Sequence, residues 1–476
     1  MKSNALFVKV AAIAVIVVLL MLALGQINHL ADERQGRFHE AVASVEQSQA
    51  GRQAVLGPAL LTTCTEEWSS TVGEGKDRKT VNEKREFMLT STPSQLVVKA
   101  SAAMEPRYRG LFKVNTYASQ ATLSAQWRTL GALRPQAEHA DSRLSCAAPM
   151  VMVAVSDARG IRQAVVKVNG DALPVAAGTG HPNYPRGFNA RMARAPADLD
   201  APLAVDVTLE LSGTAQFAIA PAADDTRVSL SSNWPHPSFG GRFLPVTREV
   251  RANGFDATWQ LSSLATTAAA DFGRHVALCV PAPGDAGGDE APAVYRDATN
   301  STPRTDGSGC MDTFSVAFID PVNPYSLSDR AIKYGMLFIG LTFLAVGMVE
   351  VLRRLRVHPI QYLLVGSAIS IFFLLLLSLS EHLRFDVSYA IAASACVLLL
   401  TFYAHYLLQG WLRGLAFGAG IGALYGALYV LLQMEQTALV IGSVLLFVVL
   451  AGIMVLTRRV DWYRLLNPAA APQSAA

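Results

Sequence analysis

The chain has 476 residues, of which 51% are hydrophobic and 16% are charged, and its formal net charge is +3. That charge is too small to favour nucleic-acid binding, and the polar part of the chain has no cluster of Lys and Arg with interleaved aromatic residues. A mean hydropathy of +0.29 is too high for an ordinary soluble protein and predicts that part of the chain lies in a bilayer.

Six apolar runs are long enough to cross a bilayer, because about 20 residues at about 1.5 Å rise span a hydrocarbon core of about 30 Å. Each is predicted to be a helix, since backbone amides left unpaired in lipid are costly. The runs are 7–27, 334–352, 360–379, 387–408, 412–432 and 438–456. The sequence therefore predicts an α-helical membrane protein with an N-terminal span (1–27) and a five-helix bundle (334–456).

Basic residues in the short loops between the spans predict the orientation, since they stay on the cytoplasmic side. Arginines follow the second, fourth and sixth runs: Arg353, Arg354, Arg356, Arg413, Arg458, Arg459 and Arg464. The loops on the opposite side, 381–386 and 433–436, are mixed or acidic. The tail 457–476 and the N-terminus are therefore predicted to be cytoplasmic, and residues 28–333 to be extracytoplasmic.

The first run decides less by itself, because Lys2 and Lys9 on one side compete with Arg34 and Arg37 on the other. An alternative interpretation is a cleaved signal peptide with a small-x-small site at residues 23–25. In either case the large middle domain is exported. Residues 28–51 hold Leu30, Phe38, Val42 and Val45 among charged residues and end at a glycine, which predicts a helical stalk.

Cysteine usage agrees with export. Four of the five cysteines lie in the exported part: Cys64, Cys146, Cys279 and Cys310. An even number of cysteines in an oxidising compartment favours disulfides, although four cysteines allow three pairings. The alternative is that the thiols are free. Cys279 and Cys310 bracket a Gly-, Pro- and Asp-rich stretch, 280–309, which predicts a flexible insertion clipped at its base. We expect Cys279 to pair with Cys310 and Cys64 to pair with Cys146.

The exported domain is predicted to be mainly antiparallel β structure, a sandwich or a highly twisted sheet. Short segments rich in Val, Thr, Leu and aromatic residues are separated by Gly, Pro, Asn and Asp, without helices between them. The predicted strands are 87–99, 112–127, 150–155, 164–168, 204–211, 215–219, 227–231, 242–251 and 255–261.

Motifs of known enzyme chemistry are absent from the sequence. The nine histidines lack metal-ligand spacing, and neither a Gly-x-Ser-x-Gly elbow nor a phosphate-binding glycine loop occurs. We therefore predict no catalytic residue, no cofactor and no metal. Polar residues near the spans offer an alternative, a solute transporter whose path is lined by Glu381, His382 or His405. Glu350 lies within one helical turn of Arg353, which predicts an interfacial ion pair.

The fifth span carries small residues at regular spacing. Glycines recur every fourth residue: Gly414, Gly418, Gly422 and Gly426. Such a pattern allows helices to approach closely and predicts packing within the bundle, with a dimer face or a lipid groove as the alternative.

The most distinctive string of the exported domain is SNWPHPSF at 232–239. Its two prolines prevent continuous strand pairing, while its aromatic side chains offer apolar anchors. The string predicts a corner between two sheets, and the alternative is a binding loop. The candidate contact residues are Asn233, Trp234, Pro235, His236, Pro237 and Phe239.

At this string a family resemblance becomes apparent. Residues 211–259 around SNWPHPSF, SDARGI at 156–161, KVNGDAL at 167–173, HPIQYLLVG at 358–366 and LTRRVDWY at 456–463 resemble the CreD family of inner-membrane envelope proteins. The resemblance implies an uncleaved first helix and a role in envelope maintenance in Gram-negative bacteria, under the Cre two-component system and linked to colicin tolerance. It supplies no catalytic residue and no cofactor.

Three functional hypotheses follow. The first is a non-enzymatic membrane protein whose periplasmic β domain contacts an unidentified envelope protein or component. The second is the small-solute or lipid transporter, and the third is an envelope-modifying enzyme with an unfamiliar site. The sequence gives neither the partner nor the oligomeric state.

Overall fold

The computed structural model describes residues 2–72, 79–196, 198–281, 295–297, 303–304, 309–318, 320, 324–353, 357–407, 410–434 and 438–458. The chain divides into two compact units. Met1–Phe38 and Val322–Ala476 form the helical unit, and His39–Pro321 forms the β unit. The predicted tail beyond residue 458 and most of the predicted insertion 280–309 lie outside the described residues.

Eight α-helices are described. They are α1 Lys2–Ser48, α2 Ala268–Gly273, α3 Pro324–Lys333, α4 Gly335–Arg353, α5 Pro359–Ser380, α6 Phe385–Leu407, α7 Trp411–Gln433 and α8 Ala438–Thr457. The start of α5 shows how the local sequence sets a helix boundary. The ring of His358 accepts the Ile360 amide, Gln361 accepts the His358 amide, and Pro359 occupies the first turn, which tolerates a missing N–H.

Four of these helices are long and apolar enough to cross a membrane: α1, α5, α6 and α7. The pair α3 and α4 meets the same test only together, because the chain bends by 42° between Leu327–Lys333 and Gly335–Glu350. Within α8 the described apolar stretch, Gly442–Gly452, is shorter. The structure therefore supports a membrane protein with four such helices, or five if the bent pair is one span, and the predicted count of six stays a prediction.

Twenty-two strands are described. They are β1 Gln53–Val72, β2 Lys79–Ser91, β3 Gln95–Met104, β4 Arg107–Arg109, β5 Phe112–Val114, β6 Thr116–Trp127, β7 Arg143–Cys146, β8 Met150–Val155, β9 Ile161–Val168, β10 Asp171–Leu173, β11 Val175–Ala177, β12 Gly187–Arg191, β13 Leu203–Thr214, β14 Gln216–Ala220, β15 Asp225–Ser232, β16 Pro237–Gly241, β17 Thr247–Arg251, β18 Gly254–Ser262, β19 Cys279–Pro281, β20 Tyr295–Asp297, β21 Pro303–Arg304 and β22 Phe314–Phe318. The part of the predicted insertion that is described therefore contains β strands.

Two large sheets dominate the β unit. The nine-stranded sheet has the order β11-β12-β8-β1-β14-β22-β16, with β2 and β7 also paired to β1. The eight-stranded sheet has the order β10-β9-β13-β6-β3-β15-β18-β17. Each contains one parallel pair, β1 with β14 and β15 with β3, and the other described pairs are antiparallel, so the β unit is mixed but mainly antiparallel.

The main core lies between the two sheets. One large apolar cluster joins Leu60 and Val153 of the first sheet to Leu123, Val207 and Trp259 of the second. Strand β6 alternates buried and exposed residues, as expected of a sheet with one solvated face, whereas all six residues of β8 are buried. The second face of β8 is covered by a further apolar cluster that includes residues of α2.

The structure corrects the strand predictions in two ways. Two predicted strands are each broken, 87–99 between β2 and β3 and 112–127 between β5 and β6. The central strand β1 was not predicted at all. Gly57 and Pro58 are typical of a turn, but the structure accommodates them where the register between β1 and β8 shifts, so the strand continues on both sides.

The last turn of α1 is fixed by residues of the β unit. The guanidinium of Arg159 donates to the carbonyls of Glu46 and Gln47 and pairs with Asp157 at 2.5 Å. Asp157 also accepts the amide of Gly51 at 3.0 Å. A cation at a helix C-terminus satisfies orphan carbonyls and interacts favourably with the helix dipole, so Arg159 stabilises this end of α1.

Candidate functional site

The distinctive loop 232–239 connects the two large sheets. Strand β15 of the eight-stranded sheet ends at Ser232, and β16 of the nine-stranded sheet begins at Pro237. Pro235 lacks an N–H and lies in the crossing segment, where neither ladder requires one. The geometry is that of a corner between sheets, with Asn233 and His236 exposed and the other candidate residues half-buried.

Trp234 is held by its own loop. Its indole N–H donates to the carbonyl of His236 at 2.9 Å, and its ring contacts the main core at the core's margin. The Nζ of Lys113 lies 5.4 Å from the centre of the same ring, a cation–π distance. Phe239 is half-buried and packs against the core, where its ring lies edge-on to Phe255 at 5.6 Å. Trp234 therefore anchors the loop and leaves its polar neighbours exposed.

A short hairpin lies against this loop. Strands β4 and β5 pair through the two-residue turn Gly110–Leu111, in which Gly110 has a φ of 61°, as in hairpin turns with glycine first. The amide of Met104, just before the hairpin, donates to the side chain of Asn233 at 2.9 Å. We call β4, β5 and residues 233–236 the hairpin–loop surface.

The sequence reasoning missed this hairpin. Its side chains Tyr108 and Leu111 are 68% and 58% exposed, although both are large and apolar or aromatic. The available signal was the string RYRGLFK at 107–113, in which basic and aromatic residues alternate around a glycine. The predicted strand 112–127 includes the second strand of the hairpin, β5, as if it were continuous with β6.

Both chain connections of the β unit meet beside this surface. The amide of Thr214 donates to Gly51, and the amide of Ala215 donates to Asn115. Phe318 donates in turn to Ala215, and the side chain of Asn115 donates to Asp320 at 3.0 Å. We call this set, residues 50–51, 115, 214–215, 318 and 320, the tether corner. Asn115 directly follows β5, so the hairpin starts from the corner.

The four cysteines of the β unit form two disulfides in the structure, Cys64–Cys146 and Cys279–Cys310. The first joins β1 to β7 beside the fully buried carboxylate of Glu66. Glu66 accepts the amides of Glu138 and His139 at 2.9 Å and pairs with Arg85 at 3.1 Å. The hydrogen bond from His139 is the largest influence on Glu66 and, with Ser142 and Arg85, lowers its pKa despite burial.

The glycines of α7 divide into two groups. A Cβ atom on Gly414 would lie 2.9 Å from the backbone of His405, and one on Gly418 would lie 1.9 Å from Thr401 Oγ1. Gly422 has only a van der Waals neighbour at 3.9 Å, and Gly426 has none within 4 Å among the described atoms. The first two glycines therefore allow α6 and α7 to approach closely.

The residues of the transporter hypothesis are not brought together. Glu381 follows the end of α5 and pairs with Arg34 of α1 at 3.4 Å, and His382 lies in the same short turn before α6. His405 lies near the other end of α6, about 30 Å along that helix, with its ring 4.9 Å from Trp411.

Glu350 has partners from distant helices. It contacts Lys9 of α1 and accepts the hydroxyl of Tyr362 of α5 at 2.9 Å. The predicted partner Arg353 has a side chain outside the described set.

A buried histidine, His181, was also missed by the sequence reasoning. Its ring accepts the amide of Asn183 and lies among the rings of Tyr184, Phe272 and His275. Burial, followed by the nearby His275, lowers the pKa of His181 to about 4, so the ring is neutral at neutral pH. Among the described residues no group of three or more His, Cys, Asp or Glu could hold a metal ion.

Comparison with known proteins covers nearly the whole chain. A family model described as "Inner membrane protein CreD" matches residues 5–463. The inner membrane protein CreD of Escherichia coli (strain K12) is 34% identical over 466 residues, which cover 97% of this chain and 95% of that protein.

Solved structures give no further guidance. A mutant M1 zinc metallopeptidase from Deinococcus radiodurans is 10% identical with a TM-score of 0.20, covering 43% of this chain and 46% of that one. The same peptidase with a bound peptide substrate has a TM-score of 0.21 at 10% identity, covering 71% and 86%. These scores are too low to support even a shared fold. The match along the sequence decides the matter, and the chain belongs to the CreD family of inner membrane proteins.

Proposed function

We propose that this protein maintains the cell envelope as a non-enzymatic protein with six membrane spans, acting through a periplasmic β unit. In this proposal the loop 233–236 of the hairpin–loop surface contacts another component of the envelope. From the family resemblance we also propose control by the Cre two-component system and an effect on colicin tolerance. The effect on colicin tolerance is tested by deleting the gene and then restoring it. A colicin response that changes on deletion and returns on complementation supports the proposal, and a response that deletion leaves unchanged contradicts it.

The observation that carries the orientation is the contact between Lys9 and Glu350. The charges around the first span are balanced, but this contact brings the start of α1 to the end of α4. Arg353 ends α4, and Arg354 and Arg356 come next in the sequence, so the positive-inside rule supports a cytoplasmic N-terminus. Arg34 lies on α1 beyond the predicted first span and pairs with Glu381 just after the end of α5, which agrees with the same orientation.

Protease treatment of spheroplasts tests the orientation. We expect the β unit to be cut from outside while a tag on the C-terminus stays protected. A β unit that is cut only after the membrane is lysed would contradict the proposal.

Photo-crosslinking in intact cells tests the contact surface. A photoreactive amino acid at His236 should give an adduct with an envelope component, and the adduct should weaken in Trp234→Ala, because Trp234 positions the loop. Leu264 is the matched control, since it is 96% exposed and follows the end of β18 remote from the loop. Equal capture at both positions would contradict a role for the loop.

A further inference from the structure

The tip of the β4–β5 hairpin has the composition of a membrane-interface element. Tyr108 and Leu111 are exposed, and they alternate with three basic residues, Arg107, Arg109 and Lys113. Tyrosine and tryptophan are favoured where a polar tip meets water and an apolar ring meets lipid, and long basic side chains reach phosphate groups from the same depth. Because Tyr108 and Leu111 are exposed, they do not contribute to the core of the β unit.

The hairpin register places Tyr108 and Lys113 on one face of the hairpin and Arg107 and Arg109 on the other. Tyr108 lies directly opposite Lys113 in the β4–β5 ladder, and Lys113 lies over the ring of Trp234. The carboxylates that contact the hairpin are near its base, where Glu105 lies 3.4 Å from Arg107 and Asp320 lies 3.7 Å from Lys113. The turn itself therefore combines apolar and positively charged side chains.

The chain's covalent length allows the hairpin to reach a bilayer surface. Asp320, at the tether corner, precedes Pro324 at the start of α3 by four residues, and an extended chain of that length spans at most about 14 Å. Helix α3 forms the first part of the bent pair that is apolar enough to cross a membrane. The hairpin extends three residues beyond Val114, or about 10 Å.

We propose that the tip of this hairpin inserts into the interfacial layer of the bilayer that the chain's own helices cross. Tyr108 and Leu111 contact the upper acyl chains, while Arg107, Arg109 and Lys113 bind the phosphates of anionic phospholipids. The inference goes beyond the proposed function, because it concerns lipid and not a further envelope partner. It also holds whichever side of the membrane the β unit occupies.

A fluorescent reporter at the tip tests the proposal with the full chain in lipid nanodiscs. Leu111→Cys, in a Cys396→Ala background, is labelled with an environment-sensitive dye, and the nanodiscs contain nitroxide-labelled lipid as a quencher. Leu264→Cys is the matched control, because Leu264 is also exposed and lies at the remote end of β18. We expect blue-shifted, quenched emission from position 111 and neither effect at position 264.

The lipid composition separates electrostatic binding from accidental proximity. Quenching at 111 should increase when phosphatidylglycerol is added to phosphatidylcholine and decrease with added salt. The charge reversals Arg107→Glu and Arg109→Glu should each reduce the lipid-bound population by roughly fivefold in the phosphatidylglycerol discs.

Several outcomes would overturn the proposal. Equal quenching at positions 111 and 264, or quenching at 111 that ignores phosphatidylglycerol and both charge reversals, would show that the tip does not bind anionic lipid. An unquenched tip that crosslinks to a protein in cells would assign the hairpin to a protein partner instead. Because the nanodiscs contain no other envelope protein, failure here leaves the crosslinking result at His236 unaffected.

Discussion

Lys9 on α1 and Glu350 on α4 form an ion pair although 341 residues separate them in the sequence. Both side chains are mostly covered, with 24% and 17% of their surface exposed. Charges in such surroundings are stable only when paired, so this contact fixes which ends of α1 and α4 lie together.

Replacing Lys9 by alanine should destabilise the helical unit. Among its described partners the carboxylate of Glu350 would keep the hydroxyl of Tyr362 alone, at a cost of about 2 kcal/mol. We expect a lower Tm in detergent, with recovery in the swapped variant Lys9→Glu with Glu350→Lys. Lys84→Ala is the control, because its pair with Glu86 is exposed and contributes little. A Tm of Lys9→Ala equal to that of the control would contradict the pairing.

Replacing Gly418 by alanine should separate α6 from α7. The added Cβ would meet Thr401 at three atoms within 3.1 Å, and overpacking of this kind costs about 1–3 kcal/mol. Gly426→Ala is the matched control on the same helix, because nothing described lies within 4 Å and alanine favours a helix. Thermal unfolding in detergent checks both variants. The same loss of Tm in both would show that the effect is not one of packing.

Alkylation should find one thiol in the unreduced protein. Among the five cysteines, four are paired in the structure, and Cys396 is a buried free cysteine. Under denaturing conditions we expect one label without reductant and five labels with it, measured as intact mass. Removing the Cys64–Cys146 bond should lower the free energy of unfolding by about 4 kcal/mol, because the bond closes a loop with a sequence separation of 82. Three or more labels without reductant would contradict the pairing.

The backbone amides of the loop at residues 138–142 should lose their protection from hydrogen exchange in acid. The pKa of Glu66 is lower in the folded protein than its usual 4.5, so the ionised carboxylate contributes stability above that value. As the pH falls below 4.5 and through the folded pKa, Glu66 becomes protonated and this contribution is lost. Hydrogen exchange at the amides of Glu138 and His139, corrected for intrinsic rates, should show the change.

The variant Glu66→Gln provides the comparison for this pH dependence. Its amides at 138 and 139 should exchange faster near neutral pH and show no further transition in acid, because the side chain no longer titrates. A transition of the same size in wild type and variant would assign the effect to another group.

Several features were predictable from the sequence because they depend on local composition. The apolar runs of α1, α5, α6 and α7 indicate helices that can cross a bilayer, since partition into lipid adds up residue by residue along a continuous stretch. Arginines in short loops predict an orientation because the positive-inside rule depends only on which loops carry them. The SNWPHPSF string predicted a change of direction through its two prolines, and the loop does cross between the sheets.

Other features depended on residues that are remote in the sequence. The strand β1 continues past Gly57 and Pro58 because its neighbours β8, β14, β2 and β7 supply hydrogen bonds on both sides, which no local pattern records. Likewise, the charge of Glu66 is intelligible only beside the backbone amides of a loop more than 70 residues away.

The sequence by itself determined that this chain enters a membrane, that it carries a large β domain between its apolar spans, and that it belongs among the CreD proteins. These conclusions need only composition, order and identity along the chain. The tertiary structure alone decided that Lys9 meets Glu350 and that Lys113 of an unpredicted hairpin covers Trp234. Such contacts follow from the pairing of distant strands and helices, where burial selects partners that are far apart in sequence.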